Sequence, residues 1–529
     1  MDLWLEIEHS EKIIGNDCDC LSCTLSQEDT AMYLQSDSKT VKNIHTLFYP
    51  EAIAIVGASE GLFKWGSIIT ANILDGGFKG QVYPISTSRE SAYGRRCYPS
   101  LREVPGKVDL VFVTTPAHTV MGILQDCVAC GIPNAVIISS GFSEAGGDGV
   151  RMERDLSEFA ARNGINVVGP NTMGICNLHS SLYGTGAHPR PPRGGISIVA
   201  QSGNVGNQIM LWAEIQKIGI SKFVGSGNEA VLKVEDYLEY LNEDCDTSVV
   251  LLYLEGVDDG RKFFEVAKSI AMRKPVIALK AGRTEGGSRA AASHTGAMAG
   301  SFAVFASVLR QSGIVIAHNP TELLELAAAF DSFPLPGGNR VGILTLGGGW
   351  GVITADECEE RGLAIPPLPD DIREKLDKKL PPFWSRANPV DLVGQPDINL
   401  YHEAIELMVA SDAFDAVIVL GLIGSPRFGI RPIQAAHRLG FFPDDEMKRL
   451  EGNVDNVESG MLCSILDLME RYDKPIYPVT LAAFPNDEII FSKPGNRYKA
   501  IVYKTPEEAV LCLAKQHQYA TFMRRRWNM

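Results

Sequence analysis

Apolar runs of strand length alternate with helical stretches along nearly the whole chain, and this alternation constrains the fold more than any other feature. From Phe48 onward the runs are AIAIVGAS (52–59), QVYPIS (81–86), VDLVFVTTP (108–116), NAVIISSG (134–141) and INVVGP (165–170). They are apolar throughout rather than alternating, as strands buried on both faces must be. Helical segments between them require parallel pairing, so these five strands describe one doubly wound unit. The loop HPRPPRGG (188–195) interrupts the rhythm. It resumes with GISIVAQSG (195–203), KFVGSG (222–227), SVVLLYLEG (248–256), PVIALKAG (275–282) and GIVIAH (313–318), closed by the helical TELLELAAAFDSF (321–333). After PLPGGN (334–339), a third unit runs from RVGILTLGGG (340–349) through AFDAVIVLGL (413–422) and KPIYPVTL (474–481) to the helical PEEAVLCLAKQHQYATF. No period of about 20–50 residues recurs, which excludes a solenoid. The expected organisation is α/β: a tail over 1–43 and three units over 44–190, 191–336 and 337–529.

A length of 529 residues suits three or four domains. The formal net charge of −15 makes the surface repel nucleic acid and anionic lipid. A phosphate-bearing ligand must therefore be held by local features such as helix N-termini. No apolar run reaches the roughly 18 residues that a membrane span needs. The start, MDLWLEIEHSEKIIGNDCDC, lacks the basic and apolar regions of a secretory signal. Cys127, Cys130, Cys176, Cys358 and Cys512 fall in apolar segments, as reduced core cysteines of a cytoplasmic protein would. Cys18, Cys20 and Cys23 are either part of a cysteine-rich tail or three ligands of a zinc site whose fourth comes from elsewhere. With no second ligand pair visible, no metal site is assigned.

Several strand ends carry candidate chemistry. GASEGLFKWG (57–66) links a strand to a helix, and Gly57 and Gly66 allow close backbone approach to a ligand at a phosphate-attracting helix start. Its spacing is not the dinucleotide fingerprint, which disfavours an NAD(P)-dependent oxidoreductase. TTPAHT (114–119), SSGFSE (139–144) and GPNTMG (169–174) end neighbouring strands and together would line a crevice. In SHTGAMAG (293–300), His294 reads as lying in a loop of small residues. A neutral imidazole can accept a phosphoryl group when a carboxylate holds its other nitrogen. Glu255, which ends SVVLLYLEG, is either that carboxylate or a solvated strand-terminal residue. AQSGNVGNQIM (200–210) and TLGGGWGVITADECEERG (345–362) each place a glycine turn at a helix N-terminus, and two such turns flanking one histidine would clamp a dianionic phosphate.

In order, GAS…K.G, GFSE, GPNTMG, AQSGN, YLEG, GR…SHTGAMAG and LGGGWG resemble the α subunit of ADP-forming acetyl-CoA synthetases. These belong to the NDP-forming acyl-CoA synthetase superfamily, which includes succinyl-CoA synthetase. The resemblance spans about Phe48 to Phe522. It implies a Rossmann-like CoA-binding domain followed by two flavodoxin-like (succinyl-CoA ligase-type) domains. It also implies that acyl-CoA and phosphate give acyl phosphate and CoA, and that a histidine carries the phosphoryl group to ADP or GDP on an ATP-grasp domain. By motif, His294 looks like the phosphorylated residue and Glu255 like its partner. Ser202, Gly203 and Asn204 match the first phosphate-holding turn, and Gly348, Gly349 and Trp350 the second. Gly57, Ser59, Lys64, Pro116, Ser140, Gly141, Phe142, Pro170 and Asn171 fall in the segments that surround CoA. Where relatives carry a lysine after the second strand this chain has Ser88, with Arg89 beside it as a substitute. The third unit leaves no stretch of about 200 residues for an ATP-grasp domain. A separate β subunit holding Mg²⁺ and ADP or ATP is therefore expected, in an α2β2 assembly implied by the resemblance. The competing expectation is a non-catalytic CoA or acyl-CoA sensor on the same scaffold.

Overall fold

The computed structural model describes residues 39–295, 302–394, 397–480 and 489–527. Three parallel sheets follow in series. The first has the spatial order Gln81–Ile85, Ala52–Val56, Leu110–Val113, Asn134–Ile137, Asn166–Val168. All but its outermost strands are buried along their full length, which accounts for the unbroken apolar runs. The second sheet runs Val315–Ala317, Val276–Lys280, Val249–Leu254, Arg193–Ala200, Ile220–Gly225 and is extended by the antiparallel pair Gly174–Asn177 and Leu182–Thr185. The third comprises Val390–Asp391, Val341–Thr345, Ala416–Leu420 and Ile476–Val479.

In the second sheet, chain order reverses between Arg193–Ala200 and Val249–Leu254. Such a reversal splays the connections to opposite faces and opens a crevice at the carboxyl ends of the strands. Gln201 and Glu255 immediately follow those two ends. The second and third units share one apolar core through the helix Pro320–Ser332, whose Leu323, Leu326, Ala327, Ala329 and Phe330 are buried. Gln516 Nε2 donates to Ala329 O (3.0 Å) and Tyr519 OH to Ala271 O (2.9 Å), fixing the last helix, Pro506–Trp527, across both units. A buried ion pair sits under the second sheet. Lys222 Nζ lies 2.7 Å from Asp244 Oδ2, with side chains 1% and 5% exposed.

Three expectations are corrected and one feature is added. Residues 39–43 are not tail: Lys39–Phe48 is a helix whose Val41, Ile44, Leu47 and Phe48 recur at helical spacing and are buried. The hairpin Gly174–Thr185, assigned from sequence to the first unit, hydrogen-bonds into the second sheet against Ile220–Gly225. His294 does not lie in a loop, because Glu285–Thr295 is helical and His294 belongs to its last turn. Three successive alanines, 290–292, favour helix strongly enough to outweigh Gly286 and Gly287. Finally, Ser425–Arg438 and Asp444–Tyr472 form a long helical hairpin in the third unit that the strand rhythm did not announce. Cys18, Cys20 and Cys23 lie outside the described residues. Among the described residues, no cluster of potential ligands suits a metal ion and no helix is long and apolar enough to cross a membrane.

Candidate active site

A cavity of about 460 Å³ opens at the switch point of the second sheet and is roofed by the first unit. Of the expected residues its lining gathers Ser140, Asn171, Ser202, Gly203, Asn204 and Glu255. Ser202 precedes the helix Gly203–Ile215 with no side-chain cap, so the N–H groups of its first turn have no intrahelical acceptor, an arrangement that can hold an anion. Gly348, Gly349 and Trp350 are not among the lining residues. They start the helix Gly348–Glu360 at the switch point of the third sheet, where a Cβ on Gly348 would lie 3.1 Å from Asp391 Oδ2. The expected two-turn clamp is therefore represented in this cavity by its first turn alone.

Two polar residues absent from the expected set organise the cavity. Gln201 Oε1 accepts from the N–H of Glu255 (2.5 Å) and of Gly256 (3.0 Å), and its Nε2 donates to Gly256 O (2.9 Å) and Glu229 Oε2 (3.0 Å). All four bonding positions of the amide are used, so the start of the Ser202–Asn204 turn and the Glu255 strand end are fixed to each other. Glu229 also accepts from Ser226 Oγ at 2.6 Å. Burial pushes its carboxyl up to about 7, against the two hydrogen bonds from Ser226 and Gln201, and the nearby Glu235 adds to the rise. Sequence offered a signal for Gln201 alone, a polar residue immediately beyond an apolar strand at a reversal point; Glu229 lies four positions past the end of Ile220–Gly225.

Across the cavity, Asn228 Nδ2 donates to Glu144 Oε2 (2.6 Å) and Glu153 Oε2 (2.7 Å), joining the second unit to the first. Burial alone would raise Glu144, but the Asn228 bond and the backbone N–H groups of Gly141 and Phe142 outweigh it and hold the carboxyl below its usual range. The joint is tight at Gly227. Its φ is +64°, and a Cβ there would meet Pro170 O at 2.4 Å. Behind Glu255, Lys280 Nζ donates to Glu255 O (2.7 Å) and Ala281 O (2.6 Å).

The remaining expected residues divide by environment. Phe142 is 1% exposed in the core of the first unit, so packing claims it and it is not among the lining residues. Pro170 is buried and its carbonyl accepts from Asn228 N (3.0 Å). Gly57 and Gly66 face each other: a Cβ on Gly66 would sit 1.9 Å from Gly57 O, so turn packing alone requires glycine at position 66. Ser59 Oγ is buried without a hydrogen-bond partner. Lys64 and Pro116 are exposed at the starts of the helices Trp65–Asp75 and Ala117–Cys130. Arg89 lies 3.6 Å from Glu60, beside the first loop, while Ser88 pairs with Ser86. The helix Glu285–Thr295 contacts the turn Ser143–Ala145 at the cavity rim. This places the backbone that carries His294 next to the first unit. The His294 side chain lies outside the described residues.

Three family models cover the chain in the same order as its sheets: "CoA binding domain" over residues 51–177, "Succinyl-CoA ligase like flavodoxin domain" over 193–330 and "Ligase-CoA domain" over 341–425. Over 391 residues the chain is 40% identical to the acetate–CoA ligase [ADP-forming] II subunit alpha of Pyrococcus furiosus, covering 74% of this chain and 84% of that one. It is 37% identical to the acetate–CoA ligase [ADP-forming] I of Archaeoglobus fulgidus, covering 71% of this chain and 54% of that longer protein. It thus spans about half the length of that single-chain relative. Among solved structures, the dinucleotide forming acetyl-coenzyme A synthetase 1 of Ca. Korarchaeum cryptofilum, in complex with phosphate and ADP, matches with a TM-score of 0.77 and 32% identity over 91% of this chain and 98% of that one. With homology running through all three sheets, the chain belongs to the ADP-forming acyl-CoA synthetase family, in the portion that its two-subunit relatives carry as the α subunit.

Proposed function

We propose that the chain catalyses acyl-CoA + phosphate + ADP (or GDP) to carboxylic acid + CoA + ATP (or GTP), and the reverse, as the α subunit of an NDP-forming synthetase. The observation that carries this reading is the single cavity in which strand ends of a CoA-binding-type unit meet an uncapped helix start and Glu255. The first-turn N–H groups of Gly203 and Asn204 would hold the phosphate and aim an oxygen at the thioester carbonyl delivered along Ser140 and Asn171. Fixed donors of this kind stabilise charge where it develops and need no rearrangement during the reaction. His294 would then attack phosphorus, releasing the carboxylic acid, while Glu255 holds its other ring nitrogen. CoA would extend past Ser59, Gly141 and Pro116 toward Lys64 and Arg89.

His294 would next deliver the phosphoryl group to ADP with Mg²⁺ on an ATP-grasp β subunit, with α2β2 as the assembly. The described cysteines are free thiols, which suits the cytoplasm. To test the reading, the purified chain is incubated with acetyl-CoA and ³²P-phosphate. It should acquire an acid-labile, alkali-stable label, and an ATP-grasp partner should discharge that label to ADP. A protein that binds CoA but never labels would be a sensor, and the proposal would fail.

Gly227 gives a sharper check on the cavity. Gly227→Ala should force the Ser226–Glu229 turn away from Pro170, widening the joint by the order of 1 Å. Misplacement on that scale costs about 100-fold in rate. Labelling from acetyl-CoA should fall accordingly while the far-ultraviolet circular dichroism is retained.

A further inference from the structure

Resting on the function proposed above, we infer that Glu229 is a catalytic acid and base that passes the proton at the coenzyme A sulfur. The cavity wall carries the carboxylates of Glu144, Glu153, Glu229, Glu255 and Asp258, and among the described lining residues no lysine or arginine. Expelling a thiolate beside a phosphate into such a negatively charged space is unfavourable, because charges interact strongly where water is scarce. A proton delivered to sulfur as the bond breaks removes that penalty.

The other four acids are unsuited to the task. Glu144 and Glu153 are both held by Asn228, and Glu144 is kept ionised by backbone N–H groups as well. Asp258 is paired with Lys233 Nζ at 2.5 Å, and Glu255 is assigned to the imidazole. Glu229 has an amide and a hydroxyl as partners, both of which donate to it, so its own proton is not committed to an anionic acceptor in the wall. Its backbone is left-handed, with φ at +55°. That conformation is costly in a residue other than glycine and persists only where the surroundings impose it. The adjacent Gly227 contact and the Asn228 bridge do so. Burial gives the group a pKa of about 7, so both protonation states are available near neutrality.

The step balances as follows. A phosphate oxygen bonds to the thioester carbonyl carbon, the C–S bond breaks, and sulfur leaves with the proton of Glu229. Hydrogen phosphate loses its own proton as it becomes the acyl phosphate, and the Glu229 carboxylate takes that proton. The sum is acyl-CoA plus hydrogen phosphate to acyl phosphate plus CoA thiol, with Glu229 unchanged. In reverse, Glu229 takes the thiol proton as sulfur attacks.

The test feeds His294 by two routes, acetyl-CoA with ³²P-phosphate or ³²P-acetyl phosphate alone, which omits the thioester step. In Glu229→Gln, labelling from acetyl-CoA should fall by about 100-fold or more, while labelling from acetyl phosphate stays within about twofold of wild type. Wild-type labelling from acetyl-CoA should decline as pH rises through about 7 and Glu229 loses its proton, and the variant should lack that limb. The charged groups facing Glu229 are Glu235 and Lys233 on its own side, Glu255 and Asp258 at the neighbouring strand end, and Glu144 and Glu153 across the cavity. Equal losses by both routes, or no loss by either, would overturn the role of Glu229 and leave the proposed function standing. A wild type silent by both routes would overturn the proposed function and this inference with it.

Discussion

His294→Ala is expected to take up no acid-labile phosphate from acetyl-CoA and labelled phosphate, a complete loss against the wild-type signal. The expectation follows from bond chemistry. A phosphoryl group on an imidazole nitrogen is cleaved in acid and survives alkali, whereas a phosphate ester on Ser202 or Ser288 would behave in the opposite way. Loss of label in hot acid together with its survival in alkali therefore marks nitrogen. Release of CoA from acetyl-CoA in the presence of phosphate should continue in the variant, since acyl phosphate forms before the imidazole acts. A label that persists in His294→Ala would assign the nucleophile to another side chain. Loss of CoA release together with the label would mean that His294 shapes the cavity instead of carrying the group.

Asp244→Ala should lower the unfolding free energy by about 3 kcal/mol, because removing one partner of a buried pair strands the other charge. Lys222 is 1% exposed and keeps only Asp246, at 3.7 Å, as a carboxylate neighbour. The figure lies at the low end of the range for that reason. Spread over the second and third units, which share one core, a loss of this size corresponds to a fall in midpoint of about 4 °C. Lys222→Met combined with Asp244→Leu should recover more than half of it, since neither charge then remains in the core. A midpoint unchanged by Asp244→Ala would show that water reaches Lys222.

The sheets were legible because a strand buried on both faces leaves an unbroken apolar run, as in Ala52–Val56 and Val249–Leu254. The hairpin Gly174–Thr185 was not, because its first strand, Gly174–Asn177, pairs with Ile220–Gly225, far along the chain, and pairing at such range leaves no local pattern. At the site, Ser202–Asn204 and Glu255 were legible as strand-end motifs. Gln201 and Glu229 escaped because their significance lies in a contact between two loops, 28 positions apart, that only the reversal of strand order creates. Phe142 shows the converse: a motif position whose side chain the core had already claimed.

The crossing hairpin bears on how such proteins can be rearranged by gene fusion. Two strands of the middle sheet are encoded upstream of the proline-rich segment His188–Pro192, so a splice there would hand one product an orphaned ribbon and leave the other with the bare edge of Ile220–Gly225. Exposed edges of that kind template aggregation. Inheritance of these units as exchangeable cassettes is thus confined to joints that keep Gly174–Thr185 with the sheet it completes.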